Sequence, residues 1–132
     1  MGTVSYLLDT HTFLWAVRGS SKLSDMALKT MEDINTPLYV SAATAYEIAN
    51  KYRIGKLPEF EDVAKNYINF IKKLDVTTLP INERHAHYAG EFVWEHRDPF
   101  DRILAAQAHL ENLTLITSDP AFKTLPWVST LW

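Results

Sequence analysis

VSYLLDTHTFLW, residues 4–15, decides how this chain folds. The apolar run over 4–8 reads as a buried strand, Asp9 closes it, and residues 10–17 read as a helix. The same junction recurs along the chain. VSAATAYEIA (40–49) carries Glu47, HRDPFDRILAAQA (96–108) carries Asp98 and Asp101, and LITSDPAF (115–122) carries Asp119. If the runs over 4–8, 38–40 and 113–117 are neighbouring parallel strands, their carboxyl ends share one sheet edge, and the helices that follow bring the five acids around one crevice.

Working outward, strands alternate with helices over the whole length. Helices are expected over 25–34, with Met26, Leu28, Met31 and Ile34 as its apolar positions, over 61–74, from Asn82 to about His96 with Ala86, Ala89, Phe92 and Val93 inward, and over 99–112. A further helix begins at Ser41 or Thr44 and ends near Gly55, and strands are expected over 76–79 and 128–131. This is an α/β pattern, a parallel sheet with helices on its faces. At 132 residues the chain reads as a single domain, 1–132.

Each acid also has a purely structural reading. Asp9, Asp98 and Asp119 are good N-caps, and Asp101 suits the positive end of its helix. Thr44-x-x-Glu47 fits a capping box unless the helix begins at Ser41, in which case Glu47 lies a full turn inside an apolar stretch and needs a partner. Asp98 and Asp101, three apart, share a helix face and can share a cation or a water. Weight comes from joint occurrence at successive strand-to-helix junctions. Clustered carboxylates repel, and a bound divalent cation is the simplest relief.

Composition narrows the field. There is no cysteine, which excludes disulfides and thiolate metal sites and suits a reducing, cytoplasmic setting. No apolar run approaches the ~20 residues that cross a bilayer, and the start lacks the basic segment and cleavage site of a signal peptide. Met1-Gly2 resembles a myristoylation start, but Tyr6 stands where Ser or Thr is required. The formal charge is −3, yet setting aside the five junction acids leaves 11 acidic residues against 13 Lys and Arg, so a phosphate-bearing substrate is not excluded.

The segments LLDTHTFLW, SAATAYEIANKYRIGKL, HRDPFDRILAAQA and LITSDPAF together resemble the PIN-domain ribonucleases, and more closely the VapC-type toxins of bacterial toxin–antitoxin pairs. The resemblance runs from Leu7 to about Phe122, and DPFDR-x-LAAQA is its most specific part. It implies a three-layer sandwich with a central parallel sheet, Mg²⁺ or Mn²⁺ in the acidic crevice, endonucleolytic cleavage of RNA, a homodimer and a cognate antitoxin. It implies catalytic and metal-holding roles for Asp9, Glu47, Asp101 and Asp119, with Asp98 a further acid of the metal site. Water activated by the cation would attack the phosphodiester. Substrate contacts are expected from Lys51, Arg97, Arg102, Thr117 and Ser118, with His96 beside Arg97 as another phosphate contact. His11 is a weaker candidate for substrate contact. Trp15, Trp94, Tyr6 and Phe100 are candidates for stacking on bases.

Two other readings compete. LLDTHT is similar to the start of haloacid-dehalogenase-type phosphatases, in which Asp9 would be the nucleophile, but His11 stands where a second acid is needed and Glu47 is left unexplained. A non-catalytic α/β module that binds another protein would make every acid a cap. The aromatic-rich end, 125–132, fits either an edge strand or a partner surface.

Overall fold

The computed structural model describes residues 3–132; the Met1-Gly2 start lies outside the described residues. Five short strands form one all-parallel sheet: β1 (Tyr6–Leu8), β2 (Leu38–Ser41), β3 (Thr77–Leu79), β4 (Thr114–Ile116) and β5 (Thr130–Leu131), in the order β3-β2-β1-β4-β5. The strand over 4–8 shortens to Tyr6–Leu8, with Val4 exposed.

Strand β1 lies in the middle and is apolar on both faces. Leu7 packs with Leu104, Ala105, Leu115 and Phe122, while Leu8 packs with Phe13, Val40, Ile48 and Ile116; both leucines are fully buried. Burying each contributes about 1.5–3 kcal/mol. One face is covered by α1 (Thr10–Arg18), α2 (Asp25–Glu32), α3 (Ala42–Arg53), α4 (Glu61–Lys65) and α5 (Tyr67–Lys73), and the other by α6 (Glu83–Glu91) and α7 (Pro99–Leu110). The small residues Ala105, Ala106 and Ala108 let α7 press close to the sheet. The chain runs from β1 outward through β2 to β3, then returns to the other side of β1 for β4 and β5. The direction of winding therefore reverses between β1 and β4, the place where an open parallel sheet leaves a crevice at its carboxyl edge.

Several expected boundaries move. The helix over 82–96 stops at Glu91, and Phe92 turns to extended backbone (φ −67, ψ 148), which leaves Val93 96% exposed instead of inward. The helix over 61–74 breaks at Asn66, whose side-chain amide donates to Asp62 O at 3.1 Å and competes with the helix ladder. α2 ends at Glu32 because Asp33 folds the chain into a turn, its carboxylate accepting from Asn35 N at 2.9 Å. Ala27, not Met26, Leu28 or Ile34, is its buried residue, with Met31 packed partly against the core. The edge strand expected over 128–131 shortens to Thr130–Leu131, and aromatics pack around it: Trp127 meets Phe92 edge-on at 4.9 Å, and Trp132 lies 5.8 Å from Trp15.

Candidate active site at the carboxyl edge of the sheet

A crevice of about 400 Å³ opens at the carboxyl ends of β1, β2 and β4. Asp9, Glu47, Asp98, Asp101 and Asp119 all line it, together with Thr10, His11, Trp15, Lys51, His96 and Ser118. Residues up to 110 positions apart in sequence thus meet at one anionic pocket.

Asp9 caps α1 and is 8% exposed. One carboxylate oxygen accepts from Thr12 N at 2.8 Å, the other from Thr117 Oγ1 at 2.5 Å. Burial pushes its pKa above the usual aspartate range, and these two hydrogen bonds oppose the shift. Thr12 in turn donates to Ile116 O at 2.9 Å, tying α1 to the end of β4. Asp9 is therefore both a cap and a member of the crevice.

Ser41 caps α3 by accepting from Ala43 N at 3.0 Å, so Glu47 lies inside the helix and Thr44 makes no capping box with it. Glu47 is 5% exposed. Its Oε1 accepts from Thr10 Oγ1 and its Oε2 from Lys51 Nζ, both at 2.5 Å, while Thr10 and Thr44 hydroxyls lie 3.3 Å apart.

Asp98 caps α7, accepting from Phe100 N at 2.9 Å, and Pro99 follows as the first helical residue. Asp101 sits one turn in and is hydrogen-bonded to His96 Nε2 at 2.5 Å. Burial raises the Asp101 pKa to about 6; the His96 bond opposes this, and the charges of Asp98 and Asp119 add to it. Donor atoms of His96, Asp98 and Asp101 lie within 4.8 Å of one another. Asp119 caps the short 3₁₀ turn Pro120–Thr124 through Ala121 N at 2.9 Å, and Thr117 Oγ1 accepts from Asp119 N at 3.0 Å.

The expected substrate contacts divide. Lys51 and Ser118 line the crevice. Thr117 is buried outside the crevice lining and donates its hydroxyl to Asp9. Arg97 is exposed and outside the crevice lining. Arg102 turns away altogether: its guanidinium donates to Ala89 O at 2.7 Å, to Trp94 O and His96 O at 3.3 Å and to Phe92 O, and stacks 4.3 Å over the Phe92 ring. An arginine following an acid at a helix start gave no sign of this, because its acceptors lie 6 to 13 residues upstream. His96 lines the crevice and is hydrogen-bonded to Asp101. Of the aromatics, Trp15 lines the crevice beside His11, at 5.8 Å; Trp94 packs on Phe122 and Phe100 on Tyr46, and Tyr6 packs against the core. Thr10 and Thr12, which brace the acids, went unnoticed in the sequence, where a hydroxyl after a cap carries no distinguishing signal, and Thr44, expected as a possible cap, stands beside the Thr10 hydroxyl instead.

Five carboxylates face one lysine here, and burial already drives Asp101 toward its protonated form. That donor set fits a hard divalent cation, which prefers carboxylate oxygens and keeps several waters. The PIN domain family model matches residues 6–128. Ribonuclease VapC16 of Mycobacterium tuberculosis is 37% identical over 59 residues, covering 45% of this chain and 40% of that protein. The chain thus aligns with less than half the length of that curated relative. Among solved structures, VapBC2 from Rickettsia felis bound to a DNA fragment from its promoter superposes with a TM-score of 0.69 at 19% identity, over 97% of this chain and 98% of that one. DNA-bound VapBC from Salmonella typhimurium gives 0.67 at 16% identity over 98% of each chain. At these identities the likeness is one of fold.

Proposed function

This chain belongs to the PIN-domain family, and from that premise we propose that it is a metal-dependent endoribonuclease, the toxin of a toxin–antitoxin pair. The observation that carries the reading is the convergence of Asp9, Glu47, Asp98, Asp101 and Asp119 on one crevice at the β1/β4 reversal. The partial match to a ribonuclease and the fold likeness to VapBC assemblies support it. In this reading the partners are RNA, an antitoxin protein and a second copy of the chain. The single domain 1–132 works in the cytoplasm, and among the described residues no helix is long and apolar enough to cross a membrane.

Asp9 and Asp101 would hold Mg²⁺ or Mn²⁺, with Asp98 and Asp119 at its border. The bound cation would supply an acidified water and offset charge on the phosphoryl oxygens. The chain's own groups do the rest. Thr12 N and the Thr117 hydroxyl fix the Asp9 carboxylate in one orientation, and His96 fixes Asp101. Lys51 brings positive charge to an otherwise anionic wall, where a phosphodiester needs it. Trp15 and His11 offer flat faces at the crevice for a single-stranded base.

The phosphatase reading has no support in the family match and leaves buried Glu47 without a task. The test is cleavage of single-stranded RNA by the purified chain with Mg²⁺ or Mn²⁺. Asp9→Asn and Asp101→Asn should each lower the rate by at least ~100-fold, the scale on which positioned acid–base or electrostatic groups act, while circular dichroism stays that of the parent. Cleavage at the parent rate by either variant would overturn the assignment. Expression alone should arrest growth, and co-expression of the antitoxin should relieve it.

A further inference from the structure

We infer that Lys51, held in place by Glu47, supplies the second positive charge of this crevice, so that the site takes one divalent cation and not two. Glu47 then positions an ammonium and does not ligate metal. The inference rests on the phosphodiester-cleaving reading above and deepens it.

Asp9 and Glu47 are both buried and both have two hydrogen-bonded oxygens, but their partners differ. Asp9 accepts from an amide and a hydroxyl, which are neutral, so its full negative charge still seeks a cation. Glu47 accepts from one hydroxyl and one ammonium. Its charge is already answered. Lys51 Nζ stands 2.5 Å from Glu47 Oε2, the Glu47 side chain is 7% exposed and that of Lys51 28%. A lysine four residues after a glutamate is usually a solvated pair of little consequence. The chain has one of that kind in Glu61–Lys65, whose side chains are 57% and 62% exposed. Glu47–Lys51 differs because the acid is inside and the ammonium reaches the crevice wall.

An ammonium has three donors and no acceptor. One is spent on Glu47, which leaves two that can face a phosphate oxygen. Lys51 is also the only Lys or Arg among the described residues that line the crevice. Thr10 and Thr44 complete the mount: the Thr10 hydroxyl holds the far oxygen of Glu47, and so fixes the direction in which the near one presents Lys51. The lysine binds and orients the phosphodiester and stabilises charge on its non-bridging oxygens.

The test is a Mn²⁺ titration of the full chain, stripped of metal, followed by electron paramagnetic resonance and calorimetry, beside single-stranded RNA kinetics at saturating Mn²⁺. The parent should bind one Mn²⁺ per chain. Glu47→Gln and Lys51→Met should each still bind one, with affinity within about threefold of the parent, whereas Asp101→Asn should weaken it by about tenfold or more. In kinetics, Lys51→Met and Glu47→Gln should each lower kcat by about tenfold or more with a smaller change in KM, and the double variant should be little worse than either single one. Lys51→Arg should recover part of the loss. Two Mn²⁺ per chain, Glu47→Gln weakening Mn²⁺ as much as Asp101→Asn, or Lys51→Met turning over at the parent kcat would each overturn the inference. If Glu47→Gln does not fold, Lys51→Met alone carries both readouts. A parent that cleaves no RNA strikes the nuclease reading, while the count of bound Mn²⁺ still judges this one.

Discussion

Asp101 retains its proton to about pH 6, where an exposed aspartate would have lost it near 3.8, because it is partly buried beside Asp98 and Asp119. A carboxyl whose folded pKa is raised favours the folded state fully below the unfolded value, and that contribution is lost as pH rises through the folded value. Metal-free protein should therefore lose stability between about pH 4 and pH 6 and stay at the lower level above. Asp101→Asn removes the ionisable group and keeps an acceptor for His96, so at pH 7 without metal it should be more stable than the parent by on the order of 1–2 kcal/mol after solvent screening. Urea unfolding at pH 4 and pH 7 in a chelator checks this: the gap should be present at pH 7 and shrink at pH 4. A gap of the same size at both would refute the linkage. Asp9, Asp98, Asp101 and Asp119 were legible in the sequence because each stands at the end of an apolar run or the start of a helix, and Glu47 because it is a carboxylate inside an apolar helical stretch. Their supports were not. Thr117 and Thr10 reach their acids across 108 and 37 residues, a proximity that only strand order creates.

At the level of elements, Arg102 sets the shape of the segment between α6 and α7. Its fork collects four main-chain carbonyls from Ala89 to His96, and those carbonyls are free to accept only because the helix has stopped at Glu91. Pro99 adds to this by keeping Asp98 out of the helical region. The alternation of Ala86, Ala89, Phe92 and Val93 fits a longer helix, so periodicity alone misplaces the boundary; an interaction from the following helix overrides it. Arg102→Met should cost about 2–3 kcal/mol, since a charged donor set is lost and several carbonyls must find water. Lys should not rescue it, because an ammonium cannot span the same fork. The same variants should weaken Mn²⁺ binding by about tenfold, because His96 and Asp98 lie on the segment that Arg102 holds. Calorimetric Mn²⁺ affinity equal to the parent in a folded Arg102→Met protein would show that the segment keeps its shape without the fork.

Over the whole molecule, the sheet order matters more than any one element. Short apolar runs alternating with amphipathic helices announce a parallel sheet, but strands of two to four residues do not announce their neighbours. The sequence supplies only the condition that the runs over 4–8, 38–40 and 113–117 be neighbours; the order β3-β2-β1-β4-β5 comes from the structure, and it is this order that sets the carboxyl ends of β1 and β4 side by side. A fold so arranged concentrates negative charge at one edge of a chain whose net charge is only −3, and the metal-free protein carries that repulsion as lost stability. A cation that binds only the folded crevice must return it. At ten times its Kd, Mn²⁺ should stabilise the protein by about 1.4 kcal/mol, a rise in Tm of roughly 4–8 °C for a domain of this size. Differential scanning calorimetry in chelator and in Mn²⁺ measures the shift. At pH 5 it should shrink, because protons then compete for Asp101. At the same Mn²⁺ concentration the shift in Asp101→Asn should fall to about a third or less of the parent's, even though that variant starts from a higher metal-free Tm. A Mn²⁺ shift of equal size in the parent and in Asp101→Asn would place the cation outside this crevice, and with it the chemistry assigned there.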